Sequence, residues 1–210
     1  MNKKFLLLTS LILNGLLGGT AMATPEPNYD VLVDVPEQNI QIRKYAPVMV
    51  AEVMEQNGEN NAFMQLFRYI DGANIAQQNI AMTAPVTQQE NIEIPMTAPV
   101  TQTQAAEKNV MTFFLPSEFT PKNTPQPTNT NITVKRKPSE VFAVIQFSGL
   151  MRDKSIEEHR MELEKYLKNQ AIEPIGPYLT AGYNAPWTPW FLRRNEIWFP
   201  LNPETEYTQN

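Results

Sequence analysis

The sequence predicts an α+β fold built from a repeated unit, and three observations carry that expectation. Two stretches show helical periodicity, and each is preceded by a pair of strand-like runs. The 18 prolines, three of them clustered at Pro121, Pro125 and Pro127, indicate extended connections between strands and argue against a helical bundle. No cysteine occurs anywhere, so packing alone must hold the fold, and cysteine-built zinc or iron–sulfur sites are excluded.

Along the chain, Lys3 and Lys4 precede an apolar run from Phe5 to Gly19 and then Ala21-Met22-Ala23, the pattern of a secretory signal peptide. Cleavage is expected after Ala23, giving a periplasmic or secreted protein with no membrane span in its mature part. With Lys3 and Lys4 gone, 15 basic residues face 22 acidic ones, a net charge of −7, which speaks against nucleic acid as a partner. Residues 24–36 read as a flexible lead-in, 37–202 as the folded domain and 203–210 as a tail. The protein is expected to be a monomer.

Within the domain, Ile40-Gln41-Ile42-Arg43 alternates as a half-buried strand does, Pro47 marks a turn, and a second strand runs from Val48 to Met54. After a loop at Gly58 to Asn61, Phe63, Leu66, Phe67 and Ile70 recur at helical spacing, with Gly72 placed to end the helix. Strand-like runs at Ile132 to Arg136 and Val141 to Phe147 then precede a second helix. Its stripe is Ile156, the stem of Arg160, Leu163 and Leu167, and Ser155 with Glu158 forms a capping box. Element order therefore repeats, although residue identity between the halves is slight. A literal repeat, MTAPVTQ at Met82 to Gln88 and again at Met96 to Gln102, could pair as neighbouring strands. Met82 and Met96 either line a ligand cleft or fill gaps in the core, and the core reading is favoured.

Several segments together resemble the SOUL haem-binding proteins: FRYIDGAN at Phe67 to Asn74, the two MTAPV copies, FFLPSEF at Phe113 to Phe119, GYNAPW at Gly182 to Trp187, and RRNEIW at Arg193 to Trp198. The resemblance extends from about Tyr29 to Leu201. It implies a distorted antiparallel β-barrel of two βαβ-type halves with two main helices packed on it, a fold shared with gyrase-inhibitor-like domains and with small-molecule-binding domains of bacterial drug-responsive regulators. It also implies a haem site in a hydrophobic groove beside the first helix, closed by the loop that precedes RRNE. Carried onto this chain, the helix supplies Phe63, Phe67 and Arg68, and the loop supplies Trp187, Trp190 and Phe191. Arg68 and either Arg193 or Arg194 would meet the propionates. Aromatic faces with cations at the rim suit a flat apolar disc carrying two carboxylates. Phe63 and Phe67 share the helix's core stripe, so for each of them a purely structural role is the favoured reading.

One departure from the family concerns iron. Some members are thought to ligate through a histidine before the first helix, whereas this chain has only His159, in the second helix among charged neighbours. An ordinary half-exposed role is expected for it, which leaves methionine, tyrosine or no protein ligand for the iron. Two other functions compete with haem or tetrapyrrole carriage. A pocket hydrolase would use Glu196 and Tyr183 for proton transfer, against the favoured reading of Glu196 as an ion-pair partner of Arg193 or Arg194. A peptide or protein interaction module would use the same exposed tryptophans. The expectation is a binding protein and not an enzyme.

Overall fold

Alternation along the strands decides the architecture. The computed structural model describes residues 24–54, 59–76, 91–103, 109–185 and 187–208. Its strands are β1 (Tyr29–Val35), β2 (Ile40–Tyr45), β3 (Val48–Met54), β4 (Asn74–Ile75), β5 (Val100–Thr103), β6 (Val110–Phe114), β7 (Gln126–Pro127), β8 (Ile132–Lys137), β9 (Glu140–Ser148), β10 (Leu179–Gly182) and β11 (Arg194–Leu201). The helices are α1 (Glu59–Ile70) and α2 (Asp153–Asn169). Nine strands form one antiparallel sheet in the order β1-β2-β9-β11-β10-β5-β6-β3-β8, while β4 and β7 pair separately.

On β2, β9 and β11 the residues Ile40, Ile42, Val141, Ala143, Ile145, Phe147, Ile197, Phe199 and Leu201 point outward and are covered by Leu163 and Leu167 of α2. On β3 and β6 the outward set Met49, Ala51, Val53, Met111 and Phe113 is covered by Ala62, Leu66, Tyr69 and Ile70 of α1. The opposite side collects Tyr45, Val50, Phe114, Phe142, Val144, Leu179, Ala181 and Trp198 into a third cluster. Tyr45 on β2 and Val50 on β3 share that cluster although their strands lie near opposite ends of the sheet order. The sheet is therefore curled into a half-barrel with the third cluster inside it, which is the α+β architecture expected.

The duplication is real and includes an exchange. Each unit reads strand, strand, helix, strand, strand: β2-β3-α1-β5-β6, then β8-β9-α2-β10-β11. In each, the strand before the helix pairs with the last one, β3 with β6 and β9 with β11. The first strand of each unit crosses to the other, so β2 pairs with β9 and β8 pairs with β3. The pairing of β5 with β10 forms the seam.

Four local expectations need correction. The lead-in contains a strand: Tyr29–Val35 pairs antiparallel with β2, because β2 has an open edge that β1 completes. The capping box at Ser155 does not form, since α2 begins at Asp153 after Arg152 and the Ser155 carbonyl accepts from His159 instead. The stripe of α1 is rotated relative to the one read from spacing: Leu66 and Ile70 are buried as expected, joined by Ala62 and Tyr69, while Phe67 lies 37% exposed. The two MTAPVTQ copies do not pair through β5, whose edges are taken by β6 and β10; the first copy, with Met82, lies outside the described residues. Gly72 does end α1, at φ 101°, where the Ala73 N–H donates to the Arg68 carbonyl at 2.8 Å.

Candidate functional site

Helix α1 is pinned by its buried side, where the Tyr69 hydroxyl donates to the Pro125 carbonyl at 2.8 Å. Phe63, half-buried, packs edge-on against Phe113 at 5.4 Å and stacks on Phe67 at 6.2 Å. Phe67, Met64 and Arg68 face solvent beside this stack. Two rings spaced i and i+4 thus form a continuous apolar ledge with a cation next to it.

The loop between β10 and β11 is held by its backbone and leaves its rings outside. Its ends are fastened by the Tyr183 N–H to the Arg194 carbonyl and by the Arg194 N–H to Asn184 Oδ1 at 2.6 Å. Its middle is a short 3-10 turn, Trp190–Leu192, whose Trp190 carbonyl accepts from the Gly149 N–H at 3.1 Å. Gly149 holds a positive φ of 112°, and its carbonyl accepts from the Asn195 amide. On this anchored frame Trp187 is 86% exposed, Trp190 60%, Phe191 59% and Leu192 63%. Four large apolar side chains in six positions make a surface that calls for a cover.

The structure brings the predicted residues together in two groups. Phe63 and Phe67 form one, and Trp190 with Phe191, edge to face at 5.6 Å, forms the other. Among the described residues no ring contact joins the groups. Arg193 spends its Nε on the Thr188 carbonyl at 2.8 Å and so braces the loop. Arg194, the alternative partner for a propionate, is committed inward, and Leu192 was missed by sequence reasoning, which followed only the aromatic residues.

On the inner face, Glu196 is fully buried and is the centre of a charged network. Its Oε1 accepts from Arg43 Nη1 at 3.1 Å and from Arg194 Nε and Nη2 at 3.0 and 2.8 Å. Its Oε2 accepts from Arg43 Nη1 at 3.1 Å, the Tyr183 hydroxyl at 2.6 Å and the Trp198 indole N–H at 2.7 Å. Arg43 also lies over the Tyr29 ring at 4.6 Å, and Arg194 over the Tyr183 ring at 3.7 Å. Burial, reinforced by the Glu196 charge, pushes the Tyr183 phenol far above its ordinary range, so it serves as a donor. With each carboxylate oxygen already taken by several donors, Glu196 has no lone pair positioned for a proton from water. The geometry is that of the ion pair with Arg194 anticipated from sequence. Arg43 was missed; its signal was the alternation of β2, which sends it inward beside Tyr45.

His159 stacks on Phe147 at 4.1 Å and bonds through Nδ1 to the Ser155 carbonyl at 2.7 Å, on the α2 side of the sheet. Among the described residues no cluster of three or more histidine, aspartate or glutamate side chains could hold a metal ion, and no helix is long and apolar enough to cross a membrane.

The curated protein called heme-binding protein 1 from Xenopus tropicalis is 25% identical over 79% of this chain and 83% of its own length. Heme-binding protein 2 from Homo sapiens is 27% identical over 85% of this chain and 86% of its own. Among solved structures, the C-terminal domain of EcmrR covers 78% of this chain and 96% of its own at a TM-score of 0.53 and 12% identity, which is a likeness of fold. The family model described as SOUL heme-binding protein matches residues 24–200, and the chain belongs to that family.

Proposed function

We propose that this protein binds haem or another tetrapyrrole against its exposed aromatic surface and carries or sequesters it outside the cytoplasm. The observation that carries the proposal is the loop at residues 187–192, whose backbone is fixed while its rings stand in solvent. Membership of a family described as heme-binding, and relatives so named, support the ligand class.

The residues present suit such a group. Trp187, Trp190 and Phe191 offer flat apolar faces, Phe63 and Phe67 a second stacked pair, and Arg68 a solvent-facing guanidinium for a propionate. Arg193 positions the loop through Thr188. Haem would supply the iron and the flat conjugated disc; the protein would supply apolar cover and charge compensation. Exposed Met54, Met64 and Met96 are thioethers open to iron. A hydrolytic role draws no support from Glu196, whose oxygens are committed.

Absorption titration with haem tests the reading. Haem added to the protein should shift its Soret band, and the Trp187→Ala/Trp190→Ala double variant should bind at least about tenfold more weakly, since loss of buried aromatic contact is worth more than 1.4 kcal/mol. Equal affinity in the two proteins overturns the site.

A further inference from the structure

We propose that the inner side of the half-barrel contains a second site, for a small apolar carboxylic acid, centred on Arg194 and filled in this structure by the protein's own Glu26. Residues 24–28 form a strap between the segment before β5 and the β2–β3 turn. The Ala98 N–H donates to the Pro25 carbonyl at 2.9 Å, and the Ala46 N–H donates to the Asn28 carbonyl at 2.9 Å, so the strap is tied on both sides of Glu26. Between the ties, both Glu26 carboxylate oxygens accept from Arg194 Nη1, at 2.9 and 3.1 Å.

Arg194 is arranged as a receptor for that carboxylate. Its Nε and Nη2 are fixed by Glu196 Oε1, and its guanidinium carbon lies over the Tyr183 ring, so Nη1 is the part of the fork presented to the strap. Charge points the same way. Arg43 and Arg194 balance Glu196 and Glu26; with the Glu26 carboxylate withdrawn, the network carries one uncompensated positive charge beside a buried core. A planar anion is the chemistry that restores neutrality at a fixed guanidinium.

Space for the rest of such a molecule lies under the strap. A cavity of about 350 Å³ adjoins Glu26, which forms part of its wall with Pro25, Val48, Leu115, Phe119 and Glu118; Arg194 does not line it, and Glu26 is the link between the two. That volume sits near the lower end of small-ligand pockets, about 300–1,000 Å³. The apolar part of its lining, Pro25, Pro27, Val48, Leu115 and Phe119, fits an alkyl or aryl body attached to the carboxylate. Glu26 is about one-third exposed and tethered by a short segment, so an external acid can compete with it. This site shares none of the residues assigned to the tetrapyrrole surface and stands independently of it.

Isothermal titration with sodium octanoate, and with 1-octanol as its uncharged counterpart, tests the assignment on wild type and Glu26→Gln. The variant should bind octanoate about tenfold or more tighter than wild type while octanol gains nothing, because only the carboxylate replaces the lost charge. Arg194→Lys in the Glu26→Gln background keeps a counter-charge for Glu196 but loses the fork, and should cancel the gain. Equal octanoate affinity in wild type and Glu26→Gln, or an equal gain for octanol, overturns the proposal.

Discussion

The Tyr183 hydroxyl donates to Glu196 Oε2 at 2.6 Å, joining the end of β10 to β11 through a carboxylate that no solvent reaches. The same carboxylate neutralises Arg43, whose side chain is 4% exposed. Its replacement by glutamine strands that guanidinium without a counter-charge. Glu196→Gln should therefore lose about 3–5 kcal/mol of stability, the cost of breaking a buried pair from one side. Urea unfolding measures it, and an unchanged midpoint would refute the network's role.

Alkaline pH should weaken the fold through its buried phenols. Burial raises Tyr183, Tyr45 and Tyr69 above their ordinary value of 10.0. The unfolded chain releases these protons near pH 10 while the folded chain retains them, so the folded state binds more protons there. Their stabilising share is complete below pH 10 and is lost as pH climbs toward the folded values, at about 1.4 kcal/mol per pH unit for each phenol. Thermal midpoints between pH 8 and 11 should fall only in the upper part of that range, and Tyr69→Phe should make the fall shallower.

Leu66 of α1 and Leu163 of α2 are each fully buried between helix and sheet. Truncation of either to alanine opens a cavity under an otherwise rigid sheet and should cost about 2–5 kcal/mol. Comparable losses from the two variants, read from denaturant midpoints, would show that both helices belong to one cooperative unit; a loss confined to one would show that they do not.

His159 should be irrelevant to the haem spectrum. Its ring is stacked on Phe147 and its Nδ1 is engaged with the Ser155 carbonyl within α2, and no ring contact joins it to Phe63, Phe67, Trp190 or Phe191 among the described residues. His159→Gln should leave the Soret position and haem affinity unchanged within about a factor of two, less than about 0.5 kcal/mol. A displaced band in that variant would make the imidazole an iron ligand after all.

Fluorescence can separate the three tryptophans. Trp198 is buried in the inner cluster and bonded to Glu196, while Trp187 and Trp190 lie open. Iodide should quench the two exposed indoles and spare the third, and bound haem should shield what iodide reached before. Quenching that haem leaves unchanged would separate the ligand from this loop.

The strands and helices were legible because alternation and helical spacing are local properties. Val48–Met54 is bounded as read, β8 ends one residue later than read, and β9 is longer than read by one residue at each end. What spacing could not reveal was orientation within an element. A twelve-residue helix with Ala62, Phe63, Leu66, Phe67, Tyr69 and Ile70 has more apolar width than one contact face uses, and only the sheet beneath decides that Tyr69 is covered and Phe67 is not. Arg43 and Glu196 are 153 positions apart, and their meeting depends on strand exchange between the units. Glu26, in a stretch with no periodicity, gave no signal of its contact with Arg194.

The crossing of β2 and β8 into each other's unit has a further consequence. Neither half of the polypeptide owns all the ribs it needs, so each would leave an open flank if made alone. A nick in the proline-rich connection near Thr124 would leave two pieces clasped together, and folding from synthesis onward has to wait until the later ribs have emerged.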